Sequence, residues 1–486
     1  MISRREKFIS FVIYAAIALT LVKIIAVVFS SPLMGYANNY DFLRQSSCVG
    51  IWQSYPDKPK TSSNPTGPLN SLVHDGHKDE GLCMKSIDNV FPSIAAYFHD
   101  VGASVDFREI SFWRVLFSLV LFACLFYVVK GGANRLLLAL AFFLTFGDIA
   151  NLLYANTFYL EYSVISSLFF AVVSSVYLTT STKESSLLII LAAISILWLG
   201  LSKQQYMPLA TLLGLLCSAA LFLKHGKTTI AIVFALVSAS IPFAYGYMND
   251  AGAGHMRGVN FANKTDTFLW AVLPEAADKK AALSKLGLPA ECIDGIGKSW
   301  YSPGVQDNHP CPNVETLSRA KLLGLFVSDP STFVEPMRKA IIGVHPFYPP
   351  YLGHLEDTKD RGTASYQLLK KTSLSDALAS IPKNYTPFIF LASMLVGLVA
   401  FGAIVVSLSK RTEIRPFLMM LCLGGLVVLY SIASSVFGDG YAELQKHAVG
   451  FLVGLTFQII GAVGFMVHWA MSRRVDEKKA PRVAPI

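Results

Sequence analysis

The chain has 486 residues, of which 53% are hydrophobic and only 15% are charged. This composition excludes an ordinary soluble globular protein and is typical of a polytopic membrane protein. The formal net charge of +9 does not indicate nucleic-acid binding, because the basic residues lie beside apolar segments rather than in one patch.

Ten apolar windows follow one another along the chain. We expect an all-α polytopic membrane protein in which they form about ten transmembrane helices, since about 20 apolar residues cross the hydrocarbon core. The windows are 8–30, 111–129, 136–153, 159–179, 187–201, 207–223, 228–247, 386–408, 417–437 and 448–471. The window 187–201 is short and is expected to pair with 207–223 across a tight turn.

Basic residues flank alternate ends of these windows, from Arg4 and Arg5 before the first to the Lys- and Arg-rich tail after the last. Since Lys and Arg accumulate on the cytoplasmic side, both termini are expected to be cytoplasmic. The predicted parts are a first helix (1–30), a first outer loop (31–110), helices two to seven (111–247), a large outer loop (248–385), and helices eight to ten with the tail (386–486).

Four of the seven cysteines lie in the two outer loops, as the pairs Cys48 with Cys83 and Cys292 with Cys311. An oxidising compartment would join each pair as a disulfide, and four free thiols are the alternative. The other three cysteines lie inside apolar windows, where a thiol behaves as a small hydrophobic group.

The stretch Tyr36–Arg44 follows the first apolar window directly. It places Asp41 and Arg44 three residues apart, with Asn38 and Asn39 just before them. A loop that only had to be soluble would not need an acid and a base at the membrane boundary. Asp41 is therefore our leading candidate for a catalytic carboxylate.

Further polar side chains occur at the ends of other windows. A charge inserted near the membrane centre costs about 2.5–3.5 kcal/mol, so ionisable residues at membrane depth need a structural or functional reason. They are Asp148, Glu161, Lys203, Gln204, Gln205, Asp439, Glu443, Lys446 and His447. The predicted topology puts all of them on the outer side with Asp41. Structural alternatives are an Asp148–Lys203 pair and a Glu443–Lys446 pair. Lys23 is expected to extend to the interface and is assigned no role.

The large outer loop is predicted to hold helices at Glu275–Leu286 and Val314–Val327. Its aromatic residues are candidates for sugar-stacking faces, and core packing is the alternative. They are Trp300, Tyr301, Phe347, Tyr348 and Tyr351.

Several common catalytic motifs are absent from the chain. There is no Asp-x-Asp pair, no complete phosphate loop, no Gly-x-Ser-x-Gly and no His-Glu-x-x-His. The cluster His74, His77, Asp79 and Glu80 matches no ligand spacing and is interpreted as a solvated loop. No metal site is predicted.

An acid among cations at the membrane–water boundary suits group transfer from a lipid phosphate. A base must accept the proton of an acceptor hydroxyl, and cations must stabilise the phosphate that leaves. Asp41 fits the base, and Lys203, Arg44 and Lys446 with His447 fit the cations. Since no nucleotide sugars exist outside the cell, the donor has to arrive on a lipid.

Five stretches resemble the GT-C superfamily of bacterial membrane glycosyltransferases that use polyprenyl-phosphate sugars, especially the hexosyltransferases that decorate O-antigen (the glycan of lipopolysaccharide) or other surface glycans. These stretches are Asn38–Phe42, Asp148 with Tyr154–Glu161, Leu201–Gln205, Gly438–Glu443 with Lys446–His447, and Asn263–Asp266 leading to Leu286–Pro289.

The resemblance implies an inverting transfer of a hexose from undecaprenyl phosphate to a hydroxyl of a lipid-linked glycan, at the periplasmic face of the bacterial inner membrane. The base maps onto Asp41, and Glu161 or Asp148 stay open as the base with Asp41 binding substrate. Candidate donor-phosphate ligands are Arg44, Lys203, Gln205, Lys446 and His447. Candidate acceptor and sugar ligands are Asn38, Asn39, Tyr159, Asp439, Glu443, Trp300 and Tyr301. Some relatives need a divalent metal and others do not, so the resemblance leaves a metal cofactor open.

Three other functions compete with this one. A flippase or transporter of lipid-linked sugars predicts inverted repeats and a polar path through both halves of the membrane, whereas the charges here stop at one face. An O-antigen polymerase or ligase would have Arg-rich outer loops, whereas Arg257, Arg319, Arg338 and Arg361 are scattered. A non-enzymatic assembly partner would not need the acid-containing turns.

Overall fold

The computed structural model describes residues 4–35, 39–53, 71–181, 185–250, 254–355, 362–406 and 414–479. The α-helices are α1 (Arg4–Val28), α2 (Asn39–Val49), α3 (Val90–Tyr97), α4 (Phe107–Val128), α5 (Gly132–Phe146), α6 (Ile149–Leu153), α7 (Glu161–Thr180), α8 (Ser186–Ser202), α9 (Met207–Leu223), α10 (Thr228–Met248), α11 (Gly254–Thr265), α12 (Lys279–Leu286), α13 (Lys321–Ser328), α14 (Ser331–Gly343), α15 (Ala364–Lys370), α16 (Leu374–Ala379), α17 (Thr386–Val406), α18 (Arg415–Asp439), α19 (Leu444–His447) and α20 (Gly450–Lys479). The strands are β1 (Met34–Gly35), β2 (Ile51–Gln53), β3 (Ser71–His74), β4 (Ser104–Asp106) and β5 (His354–Leu355).

Eight helices are long and apolar enough to cross a membrane, within the parts of the chain that the structure describes. They are α1, α4, α7, α9, α10, α17, α18 and α20. The bent pair α5 and α6 adds a ninth span if the two count together, and α8 is a shorter apolar helix. The expectation of an all-α polytopic membrane protein is confirmed.

The window 136–153 is not the single helix that hydropathy predicts. α5 ends at Phe146, α6 begins at Ile149, and the two helices are bent by 59°. The carboxylate of Asp148 accepts the backbone N–H of Ala150 and caps α6. An Asp that caps a helix start favours a new helix over a continuing one, so the prediction of an uninterrupted span is wrong here.

Helix α7 lies at the centre of the bundle, with nearly all of its residues buried. Beside it, α18 and α20 pack at close range: a Cβ atom added to Gly424 would lie 2.7 Å from the carbonyl oxygen of Gly454. Small residues at such contacts let helix backbones approach where lipid offers little hydrophobic drive. This packing fixes the end of α18 beside the start of α20, where α19 connects them.

The two long polar segments contact each other on one side of the bundle, which we call the loop side. β1 and β5 pair antiparallel, with Met34 opposite Leu355, and so join the segments. The first segment also contains a sheet in the order β2-β3-β4. A disulfide joins Cys48 to Cys83 in the first segment, and another joins Cys292 to Cys311 in the second.

Three local predictions differ from the structure. The run Glu275–Leu286 becomes an α-helix only at Lys279, where the side chain of Asp278 caps the start of α12. The run Val314–Val327 begins with a 3-10 turn, and α13 starts at Lys321. The described part of the stretch that carries Asp41, residues 39–44, was predicted as a loop and belongs to α2.

Candidate active site

A cavity of about 670 Å³ lies at the span ends on the loop side. Its walls come from α2, the turn between α8 and α9, α11, the loop around Trp300, and the turn from α18 to α19. The predicted site residues that line it are Asp41, Arg44, Glu161, Lys203, Gln205, Trp300, Tyr301, Asp439, Glu443, Lys446 and His447. Tertiary packing thus brings together side chains that are far apart in the chain, such as Asp41 and Lys446, which are separated by 405 positions.

Asp41 lies in the first turn of α2 and binds two cations. Its Oδ2 accepts from Lys446 Nζ at 2.8 Å, and its Oδ1 accepts from Arg44 Nη1 at 2.9 Å. Burial alone would raise the pKa of Asp41, but the positive charges of Lys446 and Arg44 hold that pKa well below its ordinary value. Asp41 is therefore an ionised carboxylate in the cavity wall at physiological pH.

Lys446 is the cation that joins Asp41 to Glu443. Its ammonium binds both carboxylates and lies 4.6 Å from the ring centroid of Tyr159. Burial alone would lower the pKa of Lys446, but Asp41 and Glu443 raise it well above its ordinary value. The Glu443–Lys446 pair considered as a structural alternative is present, and Asp41 shares the same ammonium.

Tyr159 stands behind this ion cluster rather than among the residues that line the cavity. Its hydroxyl donates to Tyr351 Oη at 3.3 Å, and the Tyr351 hydroxyl donates to Glu443 Oε1 at 2.9 Å. Glu443 has a left-handed backbone with φ of 41°, a conformation that costs a non-glycine residue about 1–3 kcal/mol. The hydrogen bonds hold Glu443 in this strained turn and aim its carboxylate at Lys446.

A second row of charges runs along the cavity wall from Glu161 to Asp439. Lys203 Nζ donates to Glu161 Oε1 at 2.5 Å and lies 2.9 Å from His447 Nδ1. Because an ammonium can only donate, His447 Nδ1 accepts, and the proton of the imidazole is on Nε2. His447 Nε2 lies 2.8 Å from Asp439 Oδ2, to which it donates. Donors and acceptors thus alternate along the four side chains.

Gln205 supports the turn between α18 and α19. Its Nε2 donates to the carbonyl oxygen of His447 at 2.9 Å and to Ser434 Oγ at 2.9 Å. A carbonyl can only accept, which fixes the orientation of the amide. Both N–H groups are therefore used within the protein, and the oxygen that remains for a ligand is an acceptor. This arrangement does not suit the phosphate contact predicted for Gln205.

Trp300 and Tyr301 are two of the aromatic residues in the cavity wall. The backbone N–H of Trp300 donates to Asp266 Oδ1 at 2.6 Å, and its ring packs on Phe261 with 5.2 Å between centroids. The other three aromatic candidates do not line the cavity. Phe347 stacks on Phe451 in the core, so core packing is its role.

Asp148 is the predicted catalytic candidate that the structure places elsewhere. Besides capping α6, it accepts the N–H of Ser375 at 2.8 Å. It does not pair with Lys203, which binds Glu161. The nearby Lys23 does not extend to the interface as predicted: it is 4% exposed and donates to the carbonyl oxygen of Thr372 at 3.1 Å. Both side chains anchor the α15–α16 region against the bundle.

Three residues of this region were missed by the sequence analysis. His255 Nε2 accepts from Arg44 Nε at 2.9 Å, and Arg319 lines the cavity with its Nη2 bound to the carbonyl oxygen of Gly438 at 2.9 Å. Asp266 is 1% exposed and positions the Trp300 loop. No local pattern distinguishes them from the other loop residues, although Asp266 ends a stretch noted for its resemblance.

Two further predicted ligands, Asn38 and Asn39, directly precede Tyr40 and Asp41 in the chain. Asn38 lies outside the described residues, and Asn39 begins α2. No group of three or more His, Cys, Asp or Glu residues with the arrangement of a metal site occurs in the described ranges. The cavity carboxylates are instead bound to Lys, Arg and His side chains.

Comparison with known proteins identifies a family for the chain. No curated protein and no solved structure is detectably similar to the chain. Residues 2–483 match the family described as the YfdI N-terminal transmembrane domain. Because this match covers nearly all of a chain that also has the helices of a multi-pass membrane protein, the chain belongs to the YfdI N-terminal transmembrane domain family.

Proposed function

We propose that the protein is an inverting hexosyltransferase that moves a sugar from polyprenyl phosphate to a hydroxyl of a surface glycan, such as lipid-linked O-antigen, at the periplasmic face of a bacterial inner membrane. Its family is one of membrane glycosyltransferase-like proteins. The observation that carries the proposal is the carboxylate of Asp41, held ionised by Lys446 and Arg44 in the wall of the cavity.

Asp41 acts as the general base in this proposal. It accepts the proton of the acceptor hydroxyl as that oxygen bonds to the anomeric carbon of the sugar. The bond from the anomeric carbon to the phosphate oxygen breaks, and the phosphate leaves with the electron pair. A single displacement of this kind inverts the anomeric centre.

The second row of charges suits the phosphate of the donor, and the apolar part of the cavity wall suits its lipid chain. The leaving phosphate gains negative charge, and Lys203 with His447 offers a cation and an imidazole beside it. Apolar side chains on the same cavity wall suit the first isoprene units of the carrier. They include Met84, Met207, Pro208 and Met256.

The test is transfer from radiolabelled polyprenyl-phosphate hexose to a lipid-linked glycan in membranes. Asp41→Asn keeps the size of the side chain and removes its charge, so it should retain about a thousandth of the native rate or less. Glu335→Gln is the matched control, because Glu335 lies on α14 outside the cavity and pairs with the exposed Arg338.

Two results would change the proposal. If Asp41→Asn transfers sugar as fast as the native chain, Asp41 is not the base, and Glu161→Gln becomes the decisive variant. If the native chain transfers no sugar from any polyprenyl-phosphate hexose, the glycosyltransferase proposal itself fails.

A further inference from the structure

The cations that line the cavity differ in how far the protein balances their charge. Lys446 and Arg44 bind Asp41, and Lys203 binds Glu161. Arg319 lines the same cavity but forms no ion pair with a carboxylate in the described ranges. Its charge is therefore the one that a ligand can neutralise without breaking an existing ion pair.

The donors of Arg319 are also only partly used. Nη2 donates to the carbonyl oxygen of Gly438 at 2.9 Å, which fixes the guanidinium against the end of α18. Nε is buried and has no acceptor among the described residues. A guanidinium presents five N–H donors in a planar fork that matches phosphate oxygens. This side chain thus has unused donors of the geometry that phosphate requires.

The surroundings of Arg319 favour an anion. Burial and the charge of Arg319 lower the pKa of Lys264, which places a second cation nearby. Lys264 donates to the carbonyl oxygen of Glu315, whose carboxylate is bound by Arg257. Asp439 is the neighbouring acid, and its Oδ2 accepts from His447. These neighbours of Arg319 thus comprise two carboxylates and, with Arg319 itself, three cations, which leaves one positive charge in excess among them.

We propose that Arg319 binds the phosphate of a lipid-linked substrate in the cavity. The identity of the lipid rests on the proposed function, whereas the recognition of phosphate by the guanidinium does not. Two substrates of that function carry the group: the donor as a monophosphate, and the acceptor as a diphosphate. Arg319 is then a substrate-binding residue in addition to Lys203.

The test is direct binding to the purified full-length chain in detergent, without turnover. The probes are polyprenyl phosphate, a polyprenyl diphosphate-linked glycan, and polyprenol as the phosphate-free lipid. Arg319→Gln removes the charge, Arg319→Lys keeps it, and Arg338→Gln is the control because Arg338 lies outside the cavity. Loss of charge-assisted hydrogen bonds should weaken phosphate binding by about tenfold or more in Arg319→Gln. Arg338→Gln should bind as the native chain does, and Arg319→Lys should fall between.

A loss confined to the monophosphate probe assigns the site to the donor, and a loss confined to the diphosphate probe assigns it to the acceptor. Native affinity of Arg319→Gln for both probes overturns the proposal. So does native binding of polyprenol as tight as that of polyprenyl phosphate, a result that needs no variant to fold. If phosphate binding depends on Arg319 but no sugar is transferred, the inference stands and the proposed function fails. If sugar is transferred but phosphate binding does not depend on Arg319, the proposed function stands and the inference about Arg319 fails.

Discussion

Two sets of acidic and basic side chains on the loop side are similar in composition but differ in role. In the first, Arg114 of α4 binds Asp88, with the two side chains 0% and 2% exposed. Arg114 Nη1 also donates to the carbonyl oxygens of Ala155 and Thr157. In the second, Lys446 binds Asp41, which is 17% exposed and lines the cavity.

The difference shows that a charge at membrane depth is not by itself a sign of catalysis. Neither Arg114 nor Asp88 lines the cavity, and the guanidinium is surrounded by protein acceptors. This pair therefore holds the chain before Glu161 in place. Asp41 instead faces a space in which a substrate can lie, so its charge is available for chemistry.

The largest effect should come from breaking the buried pair. Arg114→Gln leaves Asp88 charged and without its main partner, which costs about 3–5 kcal/mol of folding stability. Thermal unfolding in detergent should show a midpoint far below that of the native chain. Asp41→Asn should lower the midpoint much less while abolishing transfer. Equal loss of stability in both variants would contradict the division into a structural and a catalytic set.

The second prediction concerns Lys446, which binds Asp41 in the cavity wall. Lys446→Gln takes away the main positive charge that keeps the pKa of Asp41 low, so transfer should fall about a hundredfold. The acid limb of the pH–rate profile should move to higher pH by about 1–3 units, because Asp41 then loses its proton at a higher pH. Lys339→Gln is the matched control, because Lys339 pairs with Glu275 and neither residue lines the cavity. An unmoved acid limb would argue against Asp41 as the base.

Asp266 shares features with both sets. It is buried like Asp88, but it binds the loop around Trp300, which lines the cavity. Burial, together with Asp439, raises the pKa of Asp266 from 3.8 to about 8 against the hydrogen bond from Trp300. Between these values the folded state binds the extra proton, so stability should fall as pH rises, by at most about 1.4 kcal/mol per unit. Unfolding midpoints from pH 5 to 8 should show this slope in the native chain. Asp266→Asn should flatten it, and an equal slope in both would contradict the assignment.

The smallest effect is expected at an exposed pair. Arg338 and Glu335 lie three residues apart on α14, with side chains 54% and 37% exposed. Since such pairs contribute about 1 kcal/mol or less, Arg338→Gln should leave both the unfolding midpoint and transfer near their native values. A large change in either would show that the outer loop transmits strain to the cavity.

Hydropathy alone predicted most of the spanning helices, because the length of an apolar window is a local property of the chain. The same holds for polar residues clustered at span ends, such as Lys203 and Lys446. The break at Asp148 was missed because hydropathy averages over a cap that one side chain creates. The burial of Lys23 depends on Thr372, a distant partner that no local window contains.

Composition and hydropathy were enough to identify the membrane class, most of the spans and most of the acids and cations of the candidate site. Helix packing sets the distances between residues far apart in the chain, and it places Asp41 and Glu161 in one cavity but not Asp148. It also brought Arg319 to the cavity wall. Hydrophobicity can be summed along the chain, whereas an ion pair or a cavity exists only between side chains that packing brings together.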